Sequence, residues 1–236
     1  MERLDKIISS QGKYSRSEVK KLVRAGLVTL NGEKVKSADV KADAERDTIT
    51  VDGEAVSYRK HIYIMLNKPK GVVSATDDAV HKTVIDLVPP ALYRQGLFPA
   101  GRLDGDTTGF VLITDDGDFA HRILSPKNHI IKTYHATLDH TLSAEDIIAF
   151  TEGIDLRDGT LCLEAQVKML SENPPVAEVK IHEGKYHQVK RMFAALGNRV
   201  TELKRVKMGG LDLDERLKEG ECREITAEEL EIIQNR

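Results

Sequence analysis

One stretch constrains this chain more than any other: Gly101-Arg102-Leu103-Asp104-Gly105-Asp106-Thr107-Thr108-Gly109. An apolar run, Leu97-Phe98-Pro99-Ala100, leads into it, and a second, Phe110-Val111-Leu112-Ile113, leads out. Two buried strands that flank a dense polar loop present reactive groups on a rigid base. The same residue types also build ordinary tight turns, because Asp and Thr side chains bond their own backbone and Gly bends freely. On the residues alone the two readings stand level.

The bulk numbers narrow the setting. The 236 residues suffice for one large domain, or for a medium one with a small companion. No apolar run approaches the roughly 18 residues of a membrane span, so no membrane partner is expected. The first residues, Met1-Glu2-Arg3-Leu4-Asp5, are charged and lack the apolar core of a secretory signal. Cys162 and Cys222 lie far apart in the sequence, which fits a reducing, cytoplasmic setting. Neither the cysteines nor the eight histidines fall at metal-ligand spacing. The formal net charge is −3, but the basic residues gather at one end: residues 1–26 hold seven Lys and Arg against three Asp and Glu. That asymmetry matters more for a polyanionic partner than the sum does.

The first sixty residues read as two helices and two hairpins. Leu4, Ile7 and Ile8 share a face of the first helix. Ser15-Arg16-Ser17-Glu18 fits a capping box for the second, whose apolar stripe is Val19, Leu22 and Val23. Arg16, Lys20, Lys21 and Arg24 fall on the opposite face, and Gly26 suits the left-handed stop. Asn31-Gly32 and Asp52-Gly53 sit between short apolar runs, the strongest local hairpin signal. A domain over residues 1–58 and another over 59–236 are expected, with the boundary near Gly53 to Lys60.

Further along, Ile62 to Leu66 reads as a buried strand, broken by Asn67-Lys68-Pro69-Lys70-Gly71. Thr83 to Val88 reads as a short helix stopped by Pro89-Pro90, and Asp118 to Leu124 as another. Ser143 caps a helix that runs to Thr151. Leu161 to Val167 and Ala177 to Ile181 read as an antiparallel strand pair. Val189, Met192, Phe193 and Leu196 stand at i, i+3, i+4, i+7, an amphipathic helix with His187, Lys190 and Arg191 on its polar side. Arg199 to Val206 reads as a strand, and a helix over 227–234 closes the chain. The fold class expected is α+β: a small N-terminal α/β domain, then a larger domain with a mixed, largely antiparallel sheet and flanking helices.

Three motifs carry a resemblance. The string GRLDGDTTGFVLITDDG, residues 101–117, resembles the active-site motif of the pseudouridine synthases, in their RsuA-like branch. In that family the Asp after Arg-Leu is the catalytic carboxylate, which gives the role to Asp104. Residues 126–134, ending Lys132-Thr133-Tyr134, resemble the second motif, whose tyrosine stacks on the target base. Glu183 to Met192 resembles the third, in which the basic residue after Gln-Val pairs with the catalytic Asp. That position is Lys190 here; many relatives carry Arg, and lysine is a point charge without a bidentate fork. Asn-Lys-Pro-x-Gly also recurs in the family, as a turn whose Lys68 and Lys70 are candidates for the RNA backbone. Arg16, Ser17, Leu22, Val23, Gly26, Val28, Leu30, Asn31 and Gly32 are similar to the S4 RNA-binding domain, so Arg16, Lys20, Lys21 and Arg24 are expected to face RNA phosphates.

The resemblance implies isomerisation of uridine to pseudouridine in RNA, with no cofactor and no metal. It implies rRNA as partner, with Tyr186 to Phe193 closest to the small-subunit (16S) branch, acting on assembly intermediates as a monomer. Lys190 would favour the ionised form of Asp104 against the opposing effect of burial. Arg102, His187, Gln188 and Arg191 are expected to contact the RNA. Three other readings stay open: the same chemistry on 23S rRNA, a non-catalytic RNA-binding or ribosome assembly factor, and a carboxylate-dependent nucleoside or sugar hydrolase using Asp106 as second carboxylate.

Overall fold

The computed structural model describes residues 1–128, 130–156 and 158–234. The chain forms two compact units: Met1–Ile62 with Pro89–Leu97, and Tyr63–Val88 with Phe98–Arg236. The first therefore runs past residue 58 and takes in a later segment, which a single linear boundary does not express.

The first unit contains β1 (Glu2–Arg3), α1 (Leu4–Ser10), α2 (Arg16–Arg24), β2 (Val28–Leu30), β3 (Glu33–Lys34), β4 (Lys41–Ala42), β5 (Ile49–Val51) and β6 (Glu54–Ala55). The box at α2 is complete: Ser15 Oγ accepts from the Glu18 amide at 3.3 Å, and Glu18 accepts from the Ser15 amide at 2.7 Å. Gly26 ends the helix at φ 70°. Asn31-Gly32 and Asp52-Gly53 both have positive φ at each residue, the hairpin turn whose twist matches its strands. They join a four-stranded sheet in the order β3-β2-β5-β6. Leu4, Ile7, Ile8, Val19 and Val23 from the helices close its core with Val28, Ile49 and Val51.

The second unit is built on β7 (Tyr63–Lys68), β8 (Phe98–Ala100), β9 (Thr108–Thr114), α3 (Gly117–Leu124), β10 (Lys132–Leu138), α4 (Ala144–Glu152), β11 (Gln166–Glu172), β12 (Pro175–Ile181), α5 (Gln188–Ala195), β13 (Val200–Met208), β14 (Leu211–Asp212), β15 (Cys222–Glu224) and α6 (Ala227–Gln234). Its sheet runs β11-β12-β10-β13-β9-β7-β15, with β8 added to β9 and β14 to β13. Every pairing is antiparallel except β9 with β13. The class is thus α+β with a mixed, mostly antiparallel sheet. Among the described residues no helix is long and apolar enough to cross a membrane.

Two expected elements differ. The strand expected over 161–167 begins at Gln166, because the preceding residues use their amides outside the sheet ladder: Cys162 donates to Ile154 O at 2.9 Å, Leu163 to Glu183 at 2.9 Å and Ala165 to Phe150 O of α4 at 2.8 Å. The helix expected over 83–88 is a single 3₁₀ turn, Ile85–Leu87; Asp86 turns back to accept from Thr83 at 2.8 Å.

Core packing fixes where the reactive segments lie. β9 is buried along its whole length. Phe119, Ala120 and Ile123 of α3 join Phe110, Leu112 and Met208 in one cluster. Phe193 of α5 meets Phe150 of α4 with ring centroids 5.0 Å apart, and α5 packs against β13. β13 meets β9 closely at Gly109, which pairs with Arg205. Gly109 has φ +97°, and a Cβ there would stand 2.2 Å from the Arg205 carbonyl oxygen. Gly109→Ala is expected to destabilise the fold by more than about 1 kcal/mol from backbone conformation alone, with the clash added. Urea unfolding checks it; an unchanged midpoint would mean that this close approach is not required.

Candidate active site

The polar loop between β8 and β9 is tied down from below. Lys68, at the end of β7, is fully buried. Its ammonium donates to the carbonyls of Pro69 at 3.0 Å, Gly105 at 3.2 Å and Thr107 at 2.8 Å. Gly71 N donates to Gly105 O at 2.8 Å. Ser74 Oγ bonds both the amide and the carbonyl of Leu103, each at 3.0 Å. The Asn67-Lys68-Pro69-Lys70-Gly71 segment is therefore the clamp of the loop. Lys68 is not available to an RNA backbone, because three carbonyls occupy its three donors; Lys70 is exposed and pairs with Glu202 at 3.0 Å.

Within that loop Asp104 is partly exposed, between two basic side chains of the 187–190 segment. Lys190 Nζ lies 3.4 Å from Asp104 Oδ2, and His187 Nε2 lies 3.5 Å from Asp104 Oδ1. The same Lys190 ammonium also donates to Asp106 Oδ1. That hydrogen bond holds the Asp106 carboxyl below the usual carboxylate range, against the opposing effect of burial. Asp106 is thus a second partner of Lys190.

Tyr134 comes from β10 and is buried. It lines a narrow pocket, about 60 Å³, with Arg102, Leu103, Asp104, Thr107, Gln188 and Val189. Cations stand behind it in the sheet. Lys132 lies two residues back along β10, and Arg205 of β13 is the cross-strand partner of Tyr134. Both are buried. Arg205 Nε donates to Phe110 O at 2.7 Å. Burial, then the Arg205 charge, pushes Lys132 down to about 8. The hydroxyl of Thr107 is buried and has no hydrogen-bond partner among the described residues. The narrow pocket shares Arg102, Leu103, Asp104, Gly184, Lys185 and His187 with a wide cleft of about 730 Å³. Asp104, Tyr134 and Lys190, drawn from three separate elements, therefore meet around one site. A carboxylate beside an ammonium, at the mouth of a pocket with an aromatic wall, is fit for carboxylate chemistry on a planar ring.

The family model described as RNA pseudouridylate synthase matches residues 62–195, and the S4 domain model matches residues 2–49. This chain belongs to the pseudouridine synthase family. It is 47% identical to an uncharacterized RNA pseudouridine synthase, YtzG, of Bacillus subtilis over 98% of both chains. It is 45% identical to ribosomal small subunit pseudouridine synthase A of Yersinia pestis, over 98% of this chain and 97% of that one. The Escherichia coli protein of the same name is 42% identical over 98% and 99%. A crystal structure of a pseudouridylate synthase superposes with a TM-score of 0.68 at 43% identity, covering 99% of this chain and 100% of that one. The chain is accordingly an isomerase by family, with an S4 domain ahead of the synthase unit.

The remaining expected residues of this synthase fall into three groups. Arg102 is exposed and lines both the pocket and the cleft. Arg16, Lys20, Lys21 and Arg24 are exposed along α2 of the first unit. Gln188 and Arg191 are engaged inside the protein. The Gln188 amide is buried, accepting from Lys185 N at 2.8 Å and donating to Glu183 at 2.8 Å. Arg191 pairs with Asp158 and donates to the Tyr186 carbonyl at 3.3 Å. Both shape the segment that carries His187 and Lys190. His129, inside the second motif, lies outside the described residues. Lys68 carried a signal in its Asn-Lys-Pro context, but its burial did not.

Burial pushes Lys68 down to about 8 from the ordinary 10.5, against the raising effect of Asp106 and Asp104. Between those pH values the unfolded chain holds a proton at Lys68 that the folded chain has released, so this residue makes stability rise with pH across the window. Below about 8 its burial cost is present in full. Lys68→Met is expected to flatten the rise, leaving the share of Lys132, and to cut turnover by loosening the Asp104 loop. Urea unfolding at pH 8 and 10, with turnover at pH 7, tests both; an unaltered pH slope would contradict the assignment.

Proposed function

We propose that this synthase isomerises uridine to pseudouridine at a specific position in 16S rRNA, with Asp104 as the catalytic carboxylate acting on an everted uridine. One observation carries the reading: Asp104 and Tyr134 line one pocket, and the Lys190 ammonium stands 3.4 Å from Asp104. The Tyr134 ring grips the uracil face, as aromatic platforms hold unstacked bases. Asp104 works on the ribose–base linkage while Lys190 stands as its counter-charge. The N1–C1′ bond breaks, the base turns and C5 bonds to C1′; the C5 proton leaves to solvent and N1 takes one up, so substrate and product have the same composition. Arg102 lies where it would meet the RNA at the pocket mouth. Arg16, Lys20, Lys21 and Arg24 supply phosphate affinity with little sequence information. The two relatives named for the small subunit support that target over 23S rRNA. Partly assembled small subunits, which leave rRNA accessible, are the proposed substrate form.

The hydrolase alternative is weakened by Asp106. A paired-carboxylate glycosidase needs one carboxyl protonated as acid, and Lys190 keeps Asp106 on the ionised side. The assay is tritium release from [5-³H]uridine-labelled 16S and 23S rRNA, free and in partly assembled particles. Release from 16S alone is expected; release from 23S alone, or RNA binding with no release from either, overturns the reading. Asp104→Asn should abolish release and leave RNA binding nearly intact, whereas substantial residual turnover removes Asp104 from the chemistry. Lys190→Met should lower kcat by roughly a hundredfold, the scale on which a preorganised charge acts. A change confined to KM would make Lys190 a phosphate contact.

A further inference from the structure

The wide cleft beside Asp104 has an aromatic wall that the reaction itself does not use. Tyr186 is 76% exposed, yet its ring lies flat on that of His187, with centroids 3.8 Å apart and planes at 18°. His187 in turn stands 3.5 Å from Asp104. Tyr186 and His187 line the wide cleft together with Val73, Ser74, Ala75 and Asp78 on the other side. Tyr186 does not line the narrow pocket that holds Tyr134.

An exposed aromatic ring is commonly mobile and carries no meaning by itself. This one is held. The Tyr186 carbonyl accepts from Arg191, whose guanidinium is fixed by Asp158. Lys185 N donates to Gln188, Gln188 donates to Glu183, and Lys185 itself pairs with Glu183. Gln188 N donates back to Lys185 O at 3.1 Å. His187 adopts a left-handed backbone, φ 49°, uncommon for a residue with a Cβ and of a kind found where structure around it over-determines the geometry. That turn sets the two rings one on the other at the start of α5. The left-handed His187 backbone and the bonds on either side of it fix the chain that carries a flat, two-ring stack in solvent.

We propose that the Tyr186–His187 stack is the platform for an unpaired nucleotide adjacent to the target uridine, making Tyr186 a substrate-positioning residue. The inference rests on the synthase reading and extends it to the substrate class: RNA that is single-stranded at the target and at a neighbouring nucleotide. The geometry fits that division. The narrow pocket takes the target ring against the face of Tyr134, and the wide cleft, sharing the Asp104 wall, receives the neighbour's base on Tyr186. Every base has a π face, so such a platform favours an unstacked neighbour without demanding one sequence. A neighbour held there aligns the ribose of the target nucleotide with Asp104.

The test uses the full chain with Tyr186→Ala and Tyr186→Phe; thermal unfolding is expected to be unchanged, since the ring is exposed. The probe is a short unpaired RNA carrying 2-aminopurine next to a single uridine. Wild type and Tyr186→Phe should quench its fluorescence on binding, and Tyr186→Ala should not. On rRNA, Tyr186→Ala should raise KM about tenfold, the scale of one lost base–aromatic stack, with a much smaller change in kcat, and Tyr186→Phe should restore it. Equal quenching and equal KM in all three proteins overturn the platform while leaving the synthase assignment standing. Quenching that depends on Tyr186 in a wild type that releases no tritium would instead keep the platform and remove the synthase reading.

Discussion

A single ammonium shared by two carboxylates of one loop is the interaction on which the site depends. Lys190 reaches Asp104 and Asp106 at once from the first turn of α5. An ion pair this exposed adds only about 0–1 kcal/mol to stability, so its importance lies in position. It fixes where the Asp104 carboxylate stands relative to the pocket wall that Tyr134 supplies. Lysine serves here where a forked guanidinium would demand one planar partner, because a point charge can face two carboxylates. Asp106 then becomes part of the device that aims Lys190.

The loop can be that rigid only because another lysine is sacrificed beneath it. Burying Lys68 is costly, and three backbone carbonyls with the nearby charges of Asp104 and Asp106 offset the loss of water. The parallel contact of β9 with β13 at Gly109 then sets the loop's exit against the strand that carries Arg205. A catalytic constellation built on strand ends and a clamped loop holds its geometry better than one on free loops. The third motif follows the same logic: Gln188 and Arg191 bond the segment's own backbone at Lys185 N and Tyr186 O, and Glu183 accepts from the Gln188 and Lys185 side chains, while His187 and Lys190 face Asp104.

Local pattern made much of this legible from the amino acids. The stripe Val189, Met192 and Phe193 foretells the buried face of α5, and the Asn31-Gly32 and Asp52-Gly53 pairs foretell both hairpins, because each signal is completed within a few residues. Asp104, Lys190 and Tyr134 are legible through resemblance, and the fold sets Asp104 beside Lys190 and in one pocket with Tyr134. What stayed hidden is long-range. Nothing near Lys68 announces that carbonyls at Gly105 and Thr107 will enclose it, so a lysine in a turn reads as exposed. Gln188 reads as a free polar residue until Glu183 and Lys185 N close on its amide. Leu161 to Ala165 alternate like a strand, but β11 starts only at Gln166 because the amides of Cys162, Leu163 and Ala165 go to Ile154, Glu183 and Phe150. Tyr186 is opaque for the opposite reason: its exposure is meaningful only once its stacking and its anchored carbonyl are visible.

The account turns on where an everted uridine lies. The most direct measurement is a crystal structure of the enzyme with a 16S rRNA fragment carrying 5-fluorouridine at the target position. The account predicts the fluorinated ring flat against Tyr134, with the nucleotide's C1′ within about 3–3.5 Å of an Asp104 oxygen, or bonded to it, the spacing of a near-attack arrangement. A target base seated elsewhere, with the Asp104 and Lys190 pair facing only solvent or phosphate, would contradict it.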